Sequence, residues 1–164
     1  MNDVLPVLQE FYREALGRLL RHEASARVIR QYDVNNTYQY IINREEAHLS
    51  WVARAITELG GSVDDTAEPA LTERDGRSGK GTDPSPVLTA DAREAGEFVE
   101  RWRDRVAALP NARHAKMLDV ILGEVLEQQR FFEQALAGRT DLLGRRGEQL
   151  EPSHGDVLAT RWIE

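Results

Sequence analysis

Apolar residues recur at helical spacing through most of the chain, and no stretch alternates with a period of two. The first run extends from about Val4 to Tyr32, with a stripe of Leu5, Leu8, Tyr12, Leu16, Leu19, Leu20, Glu23 and Ala26. Tyr32-Asp33-Val34-Asn35-Asn36 is rich in turn and N-cap residues and breaks the pattern. A second helix is expected from about Asn36 to Leu59, carrying Tyr38, Ile41, Ile42, Glu45, His48, Val52 and Ile56 on one side, and Gly60-Gly61 stop it. Ser62 to Val87 is acidic, rich in Gly and Pro and poor in apolar side chains, and reads as a mobile connection. A third helix should begin with Thr89 as N-cap, bury Ala95, Phe98, Trp102 and Val106, and end before Pro110. The fourth runs from about Ala112 to Ala137, and Gly138 closes it. The expected fold class is all-α: four long helices within residues 1–137, a long crossover between helices two and three over 62–88, and a tail over 138–164.

Composition narrows the chemistry. The 164 residues contain no cysteine, so disulfides, thiolate metal sites and cysteine nucleophiles are excluded. A net charge of −7 argues against a phosphate-backbone partner, and nucleic acid is not expected. No apolar run approaches the ~20 residues needed to cross a bilayer, so no membrane partner is expected. Met1-Asn2-Asp3 opens without the charged and apolar regions of a signal peptide, which gives a cytoplasmic location as the expectation.

The polar members of the apolar stripes carry the candidate chemistry. At 100° per residue, Glu45 points almost along the mean apolar direction of the second helix, His48 within ~60° of it, and Glu23 within ~60° of that of the first. A buried carboxylate costs several kcal/mol unless it meets a metal, a cation or a proton, so these side chains require partners. With the first turn centred near Val34, Glu23 and Glu45 come level in an antiparallel hairpin. Glu23 with Glu45-x-x-His48 then places three metal-capable side chains in one layer, and oxygen with imidazole suits iron, manganese or zinc. The alternative is a buried polar network in which Arg27 or Arg30 supplies the positive charge.

A helix with one Glu, a helix with Glu-x-x-His and a long crossover before a second hairpin together resemble the ferritin-like superfamily, the rubrerythrin and bacterioferritin type of di-metal carboxylate bundle. The match covers about residues 4–137 and is nearest over Ile41-Ile42-Asn43-Arg44-Glu45-Glu46-Ala47-His48-Leu49. The resemblance implies one or two iron or manganese ions held by Glu23, Glu45 and His48, completed by Glu94, Glu124 and possibly Glu127 from the second hairpin. It also implies redox chemistry with oxygen or peroxide. The second hairpin departs from the family, because its fourth helix has no central histidine: one register gives Glu124-x-x-Glu127, the other puts Arg130 where a histidine belongs, and arginine cannot ligate a metal. Angular position turns Asp91, Glu124 and Gln128 inward, leaves Glu94 at the edge, and turns Glu97 and Glu127 away. A ferritin-like bundle that has lost its metal and serves as a binding or assembly module is the competing reading, with the acidic crossover and the Trp162-Ile163 end as supporting features.

The remaining polar and aromatic residues read more plainly. His22 adjoins Glu23 but points elsewhere and is expected at the surface, as are His114 and His154. Tyr12, Tyr38, Trp51 and Trp102 are expected to pack in the core or at an interface. The expected partner is a second copy of the chain, a dimer first, and the apolar C-terminal end is a possible docking segment.

Overall fold

A computed structural model describes residues 4–65, 83–139 and 142–143. Four helices make up the described chain: α1 (Val4–Val28), α2 (Tyr32–Glu58), α3 (Ser85–Ala107) and α4 (Ala112–Leu136). Among the described residues there is no strand, and no helix is long and apolar enough to cross a membrane. The mobile crossover and the C-terminal tail expected from the sequence fall mostly on residues outside those described.

Two boundaries differ from the sequence reading, and both have a local cause. The turn between α1 and α2 is Ile29–Gln31, so the Asp33-Asn35-Asn36 cluster forms the first turn of α2 rather than the loop before it. Asn35 makes that arrangement favourable: its side-chain amide donates to the carbonyls of Ala26 and Ile29, at 2.7 and 3.1 Å, and so caps the end of α1 from within α2. Asp33 sits where the positive end of the helix dipole favours a carboxylate. α3 begins at Ser85, ahead of Thr89. The Asp83 carboxylate accepts from Ser85 N at 2.9 Å, and Pro86 in the first turn lacks only an N–H that would have had no helical partner. At α4 the expected start holds, with the Asn111 side chain accepting from Arg113 N and His114 N. Gly60 and Gly138 end α2 and α4 at positive φ, 81° and 84°, where a Cβ would be strained.

The helices pack as two antiparallel hairpins laid side by side. Between the hairpins, Glu10 meets Arg105, Glu14 meets Trp102, Arg18 meets Glu94 and Arg21 meets Asp91, so α1 and α3 run antiparallel. On the other side Tyr40 meets Phe131, Arg44 meets Glu124 and Glu58 meets Arg113, so α2 and α4 are antiparallel as well. Each helix contributes buried residues spaced alternately by three and four, the seam of a left-handed bundle. Phe11 stands edge-on to Trp102 and Phe98, at 4.9 and 5.4 Å between ring centroids, and this cluster anchors one half of the core. Trp102 is fully buried, yet its indole N–H reaches Glu14 at 2.7 Å, so no donor is lost. Leu142, beyond α4, is buried too.

Replacing Trp102 with alanine removes the largest side chain of this cluster and is expected to cost about 3–5 kcal/mol. Tyr32→Ala, at a side chain 72% exposed, should stay within about 0.5 kcal/mol of the parent. Urea unfolding of the two variants measures both.

Candidate functional site

Midway along the bundle the apolar seam is interrupted by a layer of polar and charged side chains from all four helices. α1 supplies Arg18, Arg21, His22 and Ser25, α2 supplies Tyr38, Glu45 and His48, α3 supplies Asp91 and α4 supplies Gln128; all are buried. Glu94 and Glu124 close the layer from its edges, at 17% and 23% side-chain exposure.

Arg18 lies at the centre of the layer. Its Nε donates to both oxygens of Glu94 at 2.9 and 3.0 Å, its Nη2 donates to Gln128 Oε1 at 3.0 Å, and its Nη1 stands 4.0 Å from Glu45 Oε2. The Phe98 ring lies under the guanidinium, 4.8 Å from ring centroid to Cζ. One side chain thus ties α1 to α2, α3 and α4. Beside it Arg21 donates to Asp91 Oδ1 at 2.7 Å, while Ser25 and Tyr38 donate their hydroxyls to Asp91 Oδ2 at 2.9 and 2.5 Å. Asp91 is completely buried, and three donors from two helices hold it there.

The two histidines serve different carboxylates. His22, fully buried against the Tyr38 and Phe132 rings, places Nδ1 2.5 Å from Glu45 Oε1. His48 places Nε2 2.5 Å from Glu124 Oε2, and Arg44 grips the same carboxylate through two hydrogen bonds of 2.8 and 3.0 Å. Burial pushes the His48 imidazole below its ordinary 6.5, against the pull of Glu124. Burial alone would raise the Glu124 carboxyl, but the hydrogen bonds from Arg44 and His48 outweigh it and hold the group below its ordinary 4.5. Three buried atoms here have no hydrogen-bond partner: His22 Nε2, Glu45 Oε2, which has only the Arg18 charge at 4.0 Å, and Gln128 Nε2.

The candidate ligands are therefore placed as follows. Glu45 and His48 are buried, as expected, but they reach in different directions, to α1 and to α4. Glu94 is paired with Arg18, and Glu124 with Arg44 and His48. Glu127 is exposed. Glu23 is only half-buried, and the inward neighbour is His22, which corrects the expectation of a surface histidine. His114 is buried as well, at the start of α4. The earlier turn brings Arg18 within reach of Glu45, while Glu23, one residue from His22, stays near that height and is lost because it points away from the seam. The arginines that enter are Arg18 and Arg21 rather than Arg27 and Arg30, which are exposed. The signal for them lay in the spacing Val4, Leu8, Phe11, Ala15, Arg18, His22, Ser25 and Ile29, an unbroken alternation of four and three that the leucines at 16 and 20 obscure.

A pair of transition-metal ions between the helices, which the ferritin-like resemblance implies, does not fit this donor set. Among the described residues no three His, Asp or Glu side chains converge on a point that holds a metal ion. A guanidinium already occupies the middle of the carboxylates, and it donates to the oxygens that a metal would need. No protein-family model, curated protein or solved structure matches the chain.

Removing Arg18 leaves Glu94 and Glu45 buried without their cation, so Arg18→Ala is expected to cost about 3–5 kcal/mol in urea unfolding. Arg93→Ala, which breaks the exposed Arg93–Glu97 pair, should cost less than about 0.5 kcal/mol. Acid should weaken the fold in two steps. Below pH 6.5 the unfolded chain protonates His48 while the folded chain does not, and below 4.5 the unfolded chain protonates Glu124 first, so both groups lose stability as pH falls. Thermal melts across pH 3–8 should show His48→Gln abolishing the upper step and shrinking the lower one, which Arg44 still maintains.

Proposed function

We propose that this chain is a ferritin-like four-helix bundle that carries its own internal cation in place of a resident metal and acts as a binding or assembly module. The observation that carries the reading is Arg18, whose guanidinium engages Glu94, Gln128 and Glu45 at the position between the helices where a metal would sit. The helix directions support the ferritin-like connection. α2 ends beside the start of α4, whereas α3 starts level with the α1–α2 end of the bundle, where Asp91 meets Ser25 and Tyr38. The chain therefore leaves the second helix at one end and enters the third at the other. Its first residues climb along α1, with Ser62 O accepting from Gln9 and Asp65 from the Tyr12 hydroxyl.

A metal-binding redox protein is the rival reading. Glu45 Oε2 and His22 Nε2, buried and without a hydrogen-bond partner, are what favours it. Elemental analysis decides between the two. Protein produced with iron and manganese, as wild type and as the Glu45→Ala/His48→Ala double variant, is expected to carry no stoichiometric metal in either form. One or two equivalents in the wild type, lost in the double variant, would overturn the module reading in favour of a carboxylate–histidine centre.

A further inference from the structure

The outer face formed by α2 and α4 combines exposed apolar groups with a charge pattern that complements itself. Tyr40 and Val120 are each 41% exposed, and Trp51 is half-buried against Arg44. Large aromatic groups beside an ion-paired arginine are the composition of an interface centre rather than of an ordinary solvated face. The charged groups tied into this face are Arg44 with Glu124 and Glu127, and Arg54 and Arg113 with Glu58. Three of each sign cancel, on a chain whose net charge is −7. Two such chains repel on average, and a face whose charges cancel adds nothing to that repulsion.

The order of the charges selects a second copy as the occupant. Glu124 bonds both Arg44 and His48, so Ala47 on α2 and Val120 on α4 lie within about one turn of a common level, one on either side of it. Seven residues from Val120, two turns or about 10 Å, Glu127 lies toward one end. Seven residues from Ala47 and Val120 in the opposite direction lie Arg54 and Arg113. A two-fold axis through the Ala47–Val120 level, perpendicular to the helices, therefore brings Glu127 of each copy against Arg54 and Arg113 of the other. The same operation lays Trp51 of each copy over the Arg44–Glu124 pair of its mate, extending a stacking that Arg44 and Trp51 already make within one chain at 5.8 Å. We infer that the α2/α4 face is the interface of an isologous dimer of this chain, with apolar Val120 at its axis and Glu127 paired to arginine at both ends. The inference rests on the module reading, for which it supplies the partner and the surface.

Sedimentation equilibrium of the full chain, over about 1–100 μM, tests it. The wild type should show twice the 18.6 kDa chain mass. Val120→Glu should weaken association at least tenfold with an unchanged far-ultraviolet circular dichroism spectrum, because the side chain is not part of the core. Glu127→Arg should weaken it similarly, and the triple variant Glu127→Arg/Arg54→Glu/Arg113→Glu should restore it, which general destabilisation cannot do. A wild type that stays at 18.6 kDa, a dimer indifferent to both single changes, or a triple variant that fails to recover would each overturn the interface. Metal analysis on the same samples separates the two proposals: a metal-free monomer overturns the interface alone, and a metal-loaded dimer overturns the module reading alone.

Discussion

A guanidinium buried among four helices is the constraint to which the rest of this bundle is fitted. Taking an arginine out of water costs several kcal/mol unless its donors and its charge are met on every side. Arg18 meets that requirement only because Glu94, Gln128 and Glu45 arrive from three other helices at the same height. Sliding any one helix by a turn, about 5.4 Å, would leave a buried charge or amide unpaired. The apolar clusters at either side of the layer do not have this property, since Phe, Leu and Ile side chains tolerate a shifted neighbour far better than a carboxylate does. Burial of apolar surface drives the helices together; the polar layer fixes which heights coincide.

The same constraint explains the division of labour among the carboxylates. Asp91, the most deeply buried, receives Arg21, Ser25 and Tyr38 and has no unmet oxygen. Of the two nearer the edge, Glu124 takes a two-toothed arginine, and Glu94 shares the one Arg18 Nε–H between its two oxygens. Glu45 is the least well served, with Arg18 at 4.0 Å and His22 as its one close partner. Two guanidiniums among Glu45, Asp91 and Glu94 leave one negative charge over in the inner layer, and it is beside Glu45 that the histidine stands. The unpartnered atoms of His22, Glu45 and Gln128 concentrate in this same region, so it is the point of lowest polar satisfaction in the core.

The four helices were legible from periodicity, as were the inward positions on the second hairpin. Asp91 and Gln128 are buried, Glu94 and Glu124 lie at the edge, and Glu97 and Glu127 are exposed, in line with a count of 100° per residue apart from Glu124, which stands further out. The first hairpin was harder for a physical reason. Three of the core positions of α1 are Arg18, His22 and Ser25, so the mean apolar direction is drawn toward Leu16 and Leu20 and away from the true seam. An angle measured from that direction favours Glu23 over His22. The turn compounded the error, because Asn35 is both a good loop residue and a good cap for the helix before it, and composition does not distinguish the two uses. The earlier turn brings Arg18 opposite Glu45, while Glu23, one residue from His22, is lost through its direction rather than its level, so His22 and Arg18 take the place expected for Glu23.

That exchange is what separates the two functional readings, and it rests on charge rather than on shape. A layer of carboxylates with histidine nearby needs positive charge at its centre, and a guanidinium supplies one unit of it where a metal ion supplies two or three. They differ in consequence. A metal offers open coordination positions and redox chemistry, whereas an arginine consumes the carboxylate lone pairs with directional hydrogen bonds and offers neither. On the module reading, an interior organised around Arg18 holds its helices at one height, and the groups that engage other molecules are those on the outside of the bundle. There the Arg44–Glu124–His48 contact links the α2/α4 face to the inner layer, as Arg18–Glu94 links the α1/α3 side. The charge that sets the core register thus also fixes the positions of the side chains that a partner would meet.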